Sequence, residues 1–228
     1  VDILSFPMIP AVMDSKVIGW GKKKEALTCG YTATWIPTIN IPGLKQLTRA
    51  VASRMMLRKW LKGHAGEQCA VLLYSICPYI APSVVNLCNK YQIKCVAIVP
   101  DLPCNMFMNY KFGRFKTLLT KLYLLPALHY QSRFDGYVYL TEYMAEVISS
   151  KKVYTVVEGI ADVHQFDSIA KTVGDRRGIM YAGRLHEKYG LKNLIEAYLA
   201  MPHENVELWL FGAGSFENEI KRYAELDA

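Results

Sequence analysis

The sequence predicts an α/β fold built on a mostly parallel sheet, on three observations. Short apolar runs alternate with helical stretches along the 228 residues. Two of the runs, Ala70–Ser75 and Val206–Phe211, read as buried strands, as in a covered parallel sheet. Glycines follow strands at Gly183, Gly212 and Gly214, the end of an open parallel sheet where ligands bind.

The elements follow in order. Val1–Phe6 is a strand, with a polar stretch around Lys22-Lys23-Lys24 after it, and Thr32–Ile36 is a short strand before Pro37. Leu44–Lys62 holds no Pro or Gly and carries strong helix formers such as Met55, Met56, Leu57 and Leu61. Strand Ala70–Ser75, helix Ala81–Tyr91 and strand Lys94–Val99 make a first βαβ unit, ending at Asp101-Leu102-Pro103. Phe112–Tyr130 is helical, with a break or kink at Pro126. Gly136–Leu140 and Tyr154–Val157 are strands around the helix Glu142–Ser149. Beyond them Ile179–Ala182 and Val206–Phe211 flank an amphipathic helix, whose Leu191, Leu194, Ile195, Tyr198 and Leu199 fall on one face.

Residues 1–162 therefore read as one domain, 163–177 as a polar linker and 178–228 as the start of a second domain. Two strands in roughly fifty residues bury too little area to stand alone, so a longer protein is expected. A start at Val1, inside a strand, carries the same expectation for the other end.

No window reaches the ~18 to 20 apolar residues of a membrane span, and Val1–Pro10 lacks the pattern of a signal peptide. The six cysteines, Cys29, Cys69, Cys77, Cys88, Cys95 and Cys104, form no Cys-x-x-Cys pair and several sit in apolar runs. They read as buried thiols in a reducing cytosol, and no metal site is expected. The net charge of +7 is uneven: residues 1–133 hold 17 Lys and Arg against 5 Asp and Glu, the remainder 10 against 15. The first half is thus suited to an anionic partner: a membrane surface, a nucleic acid or a phosphorylated substrate.

The chemistry concentrates between Gly178 and Gly214. Arg184 follows Gly183 at a strand end, and Lys188 stands four residues on. A guanidinium fork matches two phosphate oxygens, and an ammonium adds a mobile charge. With Gly183 allowing close backbone approach, the pair suits a diphosphate and the charge of a departing phosphate. The plainer reading is surface cations on a loop. Gly212-Ala213-Gly214 opens the last helix, where amides meet phosphate or ribose, or where a tight turn simply needs glycine. Glu217 falls where a dinucleotide fingerprint needs its third glycine, and no Walker-type loop occurs.

The string Tyr181-Ala182-Gly183-Arg184-Leu185, Glu187-Lys188, Gly190-Leu191-Lys192-Asn193-Leu194-Ile195-Glu196-Ala197, with Leu208 to Gly214, resembles the start of the catalytic domain of family 4 (group 1) glycosyltransferases. Val99-Pro100-Asp101-Leu102, Leu140-Thr141-Glu142-Tyr143-Met144 and Val157-Glu158-Gly159-Ile160-Ala161-Asp162 resemble that family's acceptor-side strand ends more loosely. The resemblance implies two Rossmann-like domains of the GT-B type, the second incomplete here, with the donor in the cleft between them. It implies a retaining, metal-independent transferase that moves a sugar from a nucleotide-diphosphate sugar to a glycan or lipid-linked acceptor and uses no cofactor.

By the same resemblance Arg184 and Lys188 grip the donor diphosphate, beside Gly183, Gly212 and Gly214, and Asp101 is the acceptor-side catalytic contact. Pro100 stands where many relatives have His, and a turn role for Asp101 stays open. Thr141 and Glu142 read as a helix start, with a cap or a donor contact both open. His186 reads as loop surface. Glu217 and Glu225 share the spacing of the family's acidic pair, Glu-x7-Glu, but come too early in the domain and read as solvated charges. That pair is expected beyond residue 228, so the piece alone is expected to be inactive. Rivals are an epimerase or phosphorylase of the same fold and a non-enzymatic basic module binding anionic lipid or RNA. The RNA reading lacks a recognisable motif, and no nucleic-acid partner is expected.

Two helices carry the basic charge. Arg54, Arg58 and Lys62 lie at i, i+4 and i+8 among Met55, Leu57, Trp60 and Leu61. Lys111, Arg114, Lys116 and Lys121 decorate the other among Phe112, Phe115, Leu118 and Leu122. Such helices lie on anionic lipid, or present a solvated face over a buried stripe. The expectation is a cytoplasmic protein, peripheral at the inner face of the membrane.

Overall fold

Strand β6 (Ala70–Tyr74), β7 (Lys94–Val99), β8 (Gly136–Tyr139) and β9 (Val153–Val156) form an all-parallel sheet in chain order. This is a computed structural model, which describes residues 1–6, 16–27, 30–106, 113–160, 177–202 and 205–226. The chain is a mixed α/β protein and divides into two units, Val1–Ile160 and Ala161–Ala228. The expected linker lies outside the described residues except for Arg177, which is the first residue of a strand.

Among the described residues, four α-helices and two small sheets complete the first unit. Helix α1 (Leu44–Gly63) precedes β6, α2 (Ala81–Tyr91) joins β6 to β7, α3 (Arg114–Tyr130) joins β7 to β8, and α4 (Glu142–Ile148) joins β8 to β9. Because right-handed crossovers between strands in sequential order all fall on one side, α2, α3 and α4 share a face of the sheet. Helix α1 packs against α2 in the same layer. The core between helices and sheet holds Leu57 and Leu61 of α1, Val85 and Cys88 of α2, Ala127 of α3, and Leu73, Cys95, Ala97 and Tyr139 of the strands. Period-two alternation points Leu72 and Tyr74 the other way, and they stay 62% and 69% exposed.

Strand β1 (Ile3–Ser5) pairs in parallel with β4 (Thr32–Trp35), whose other edge takes β3 (Lys24–Ala26) antiparallel. Strands β2 (Gly19–Trp20) and β5 (Thr38–Ile39) form an antiparallel pair. The polar stretch around Lys22-Lys23-Lys24 thus contains an edge strand. All three residues of β3 are exposed, so backbone pairing alone holds it and no apolar alternation announces it. Helix α3 runs through Pro126 to Tyr130 instead of breaking there. Lys111 and Phe112 lie outside the described residues.

Asp135 ties β7 to the start of β8. Its carboxylate accepts the Cys95 N–H at 3.0 Å and lies 3.3 Å from the Lys94 ammonium. Burial pushes this carboxyl up, but the Cys95 N–H and Lys94 outweigh it and hold it below the usual carboxylate value. Cys88 and Cys95 are fully buried, Cys69 and Cys77 half-buried, Cys104 exposed, and Cys29 lies outside the described residues. No helix among the described residues is long and apolar enough to cross a membrane.

The second unit is one βαβ motif with a following helix. Strands β10 (Arg177–Ala182) and β11 (Val206–Phe211) pair in parallel, in register from Arg177 with Val206 to Ala182 with Phe211. Between them α5 (Leu191–Ala200) buries Leu191, Ile195 and Tyr198, the i, i+4, i+7 face read from its sequence. The Tyr198 hydroxyl donates to the Val206 carbonyl at 2.9 Å, fixing the helix end to the next strand. Leu185, Leu191, Ile195 and Phe216 form the buried cluster under α5 and α6 (Glu217–Leu226).

Candidate functional site

Parallel pairing of β10 and β11 brings two glycine-bearing loops side by side at the carboxyl edge of the second unit. The ladder continues past both strands: the Gly183 N–H donates to the Phe211 carbonyl at 2.9 Å and the Leu185 N–H to the Ala213 carbonyl at 3.0 Å. In return the Phe216 N–H donates to the Leu185 carbonyl at 2.9 Å. The loops are so close that a Cβ on Gly212 would collide with the Gly183 carbonyl oxygen, and one on Gly214 with the Leu185 carbonyl oxygen. Gly212 also has φ 147°, which side-chain-bearing residues rarely adopt. Both glycines therefore have a packing cause that needs no ligand.

Arg184 and Lys188 sit on this clasp. The Arg184 carbonyl accepts from the Tyr181 hydroxyl and the His186 N–H, each at 3.0 Å, which pins its backbone. Its side chain is exposed, and its guanidinium makes no hydrogen bond or ion pair among the described residues. Lys188 lies in a 3-10 turn, Glu187–Tyr189, with its ammonium 5.0 Å from the Tyr189 ring centroid. Leu185, between exposed Arg184 and half-buried His186, is buried and anchors the loop.

Two residues have roles here that sequence reading missed. His186 Nδ1 accepts the Ser215 N–H at 3.2 Å and lies 2.8 Å from the Ser215 hydroxyl, so the ring latches one loop to the other. An N–H pointing at Nδ1 makes Nε2 the protonated nitrogen. The Glu217 carboxylate accepts the Gly214 N–H at 2.6 Å, capping the amide of the turn that leads into α6. A phosphate at that amide has to displace Glu217. The spacing of Gly214 and Glu217 is a weak signal for the cap; nothing local signals the histidine latch, whose partner lies 29 residues away.

In the first unit, Asp101 is exposed just past the carboxyl end of β7, between buried Val99 and buried Leu102 and Pro103. It makes no hydrogen bond or ion pair among the described residues. Thr141 holds the N-cap position of α4 without a side-chain capping bond, and Glu142 accepts the Tyr154 hydroxyl at 3.0 Å. That carboxylate pushes the Tyr154 phenol above its ordinary pKa.

A cluster absent from the sequence reading lies past the carboxyl end of β6. Ser75 has φ 66°, and the Cys77 thiol points at its hydroxyl across 3.9 Å. Arg49 of α1 lies 4.6 Å over the Phe6 ring and 5.9 Å from the Trp20 ring, with Nε buried and without a hydrogen-bond partner. Burial pushes the Cys77 thiol and the Tyr79 phenol up, against the pull of Arg49, and holds Tyr123 at about 12. A guanidinium with no carboxylate partner among the described residues, at the mouth of a parallel sheet, favours anions.

No protein-family model matches the chain, and no curated protein does. Among the described residues no three His, Cys, Asp or Glu side chains are grouped to hold a metal ion.

Proposed function

We propose that the chain belongs to a glycosyltransferase with two Rossmann-like domains, which transfers a sugar from a nucleotide-diphosphate sugar to a glycan or lipid-linked acceptor. The observation that carries this reading is Arg184: an exposed guanidinium without a partner among the described residues, on a loop pinned by four backbone hydrogen bonds at the carboxyl edge of a parallel pair. Such an edge is where open parallel sheets take their ligands. A pinned backbone with a mobile fork presents two parallel donors to phosphate oxygens at little ordering cost.

In this reading Arg184 and Lys188 bind the diphosphate and neutralise it as the sugar leaves. Gly183, Gly212 and Gly214 let the loops pack closely enough to hold that geometry. Asp101, at the β7 end, contacts the acceptor. Retention without a metal follows from the resemblance, as does use of the departing phosphate to take the acceptor proton.

Titration of the 228-residue chain with UDP, GDP and ADP tests the proposal. Binding of at least one of them is expected, weakened about tenfold or more by Arg184→Ala, since charge-assisted hydrogen bonds are worth about 1.5–3 kcal/mol. Failure of all three to bind, or an Arg184→Ala variant with unchanged affinity, overturns it.

A further inference from the structure

Helix α3 is apolar on two opposite sides, and the fold uses only one of them. Leu124 and Ala127 are buried against the unit. Phe115 (75%), Leu118 (55%), Leu119 (49%), Leu122 (53%) and Leu125 (54%) are exposed. At 3.6 residues per turn these five fall within an arc of about 120°, facing away from the buried side. A solvated face over a buried stripe, the plainer of the two sequence readings, would put charges there. It describes the last turns of α1, where Leu57 and Leu61 are buried beneath exposed Arg54, Arg58 and Lys62, although Leu47, Val51 and Met55 of the same helix are exposed as well. On α3 the arrangement is reversed.

The flanks of the exposed stripe decide what covers it. Arg114 and Lys121 border it on one side and Lys116 on the other, all exposed. Between Arg114 and Tyr130 there is no Asp or Glu. Five adjacent large apolar side chains in water are costly, and cations along both borders repel a second copy of the same face while attracting a surface of negative charge. The first two turns, residues 114–119, are exposed on every side and so can sink into a soft interface without unpacking the core.

We infer that α3 is a membrane-docking helix that lies in the plane of an anionic lipid bilayer, with Phe115, Leu118, Leu119 and Leu122 among the acyl chains and Arg114, Lys116 and Lys121 at the headgroups. This surface belongs to the first unit and does not depend on the transferase reading. Under the transferase reading, docking restricts the chain to acceptors held at a membrane.

Co-sedimentation of the 228-residue chain with phosphatidylcholine vesicles, with and without phosphatidylglycerol, tests it. Binding is expected only to the anionic vesicles, falling with salt and dropping about fivefold for each of Arg114→Gln and Lys121→Gln. Leu118→Ser with Leu122→Ser lowers it about tenfold or more, while Leu72→Ser, which removes an equally exposed leucine from the sheet face, leaves it unchanged. A Phe115→Trp variant is expected to gain quenching by brominated lipid over the parent protein, a readout that needs no loss of folding. No binding to anionic vesicles, equal loss with Leu72→Ser, no added quenching, or a stripe variant that converts a dimer to a monomer overturns the inference.

Discussion

Replacing Gly212 with alanine tests whether the clasp between the two strand-end loops holds the second unit together. The cost has two parts. An alanine at φ 147° is strained by about 1 to 3 kcal/mol. Its Cβ also meets the Gly183 carbonyl oxygen, a backbone atom that cannot rotate aside, and forced overpacking adds about 1 to 3 kcal/mol. The total, about 2 to 6 kcal/mol, falls on a unit whose buried apolar cluster among the described residues is small: Leu185, Leu191, Ile195 and Phe216, with Tyr198 buried beside them. A loss of that size is a large part of any small unit's stability. Gly190→Ala is the control: φ there is 82°, but a Cβ meets nothing within 4 Å, so only the conformational cost of about 1 to 2 kcal/mol applies. Hydrogen exchange read by mass spectrometry separates the units. Gly212→Ala is expected to abolish protection of β10 and β11 while β7 and β8 keep theirs, and Gly190→Ala to reduce it only modestly. Unchanged protection in Gly212→Ala, or equal losses in the two variants, would refute the clasp argument.

Other outcomes follow from single contacts. His186→Ala removes the acceptor of the Ser215 N–H and is expected to cost about 1 kcal/mol, seen as faster exchange at residues 213–216 with β7 unaffected. Asp135→Asn is expected to flatten the acid limb of the stability curve. The folded carboxyl titrates below its unfolded value of 3.8, so its contribution is complete above that value and is lost as pH falls through the lower, folded one. Urea melts at pH 7 and pH 3 read this: the parent's advantage over the variant shrinks at the lower pH, and an equal advantage at both counts against the assignment.

Where hydrophobic runs were long and bounded by polar turns, the sequence was easy to read. Helix α2 and strands β7 and β11 have the bounds their residues suggest, since apolar content and flanking polar turns coincide there. Strand β3 was invisible because its residues contact solvent, not a core. The stripe on α3 was visible as a pattern, but its direction was not: periodicity shows that Phe115, Leu118 and Leu122 share a face, and only packing shows that Leu124 and Ala127 on the other side are the ones buried. At the candidate site Arg184, Lys188 and the glycines stood out by spacing. The duties of His186 and Glu217 depend on a loop from elsewhere in the chain, and a cluster such as Arg49 with Tyr79 and Cys77 depends on how α1 lies against the strand ends.

The order of β6, β7, β8 and β9 also has a consequence for how the chain is made. Each strand lies beside the one synthesised just before it, so the sheet can lengthen one strand at a time as the polypeptide leaves the ribosome. No finished pairing has to open for a later strand to be inserted, but each parallel step must first close a crossover that contains a helix, and the entropy of that closure makes growth slow. The growing edge stays open until the next strand arrives, so pauses in translation between Tyr91 and Val153 are when this nascent chain is most open to capture by a stray strand.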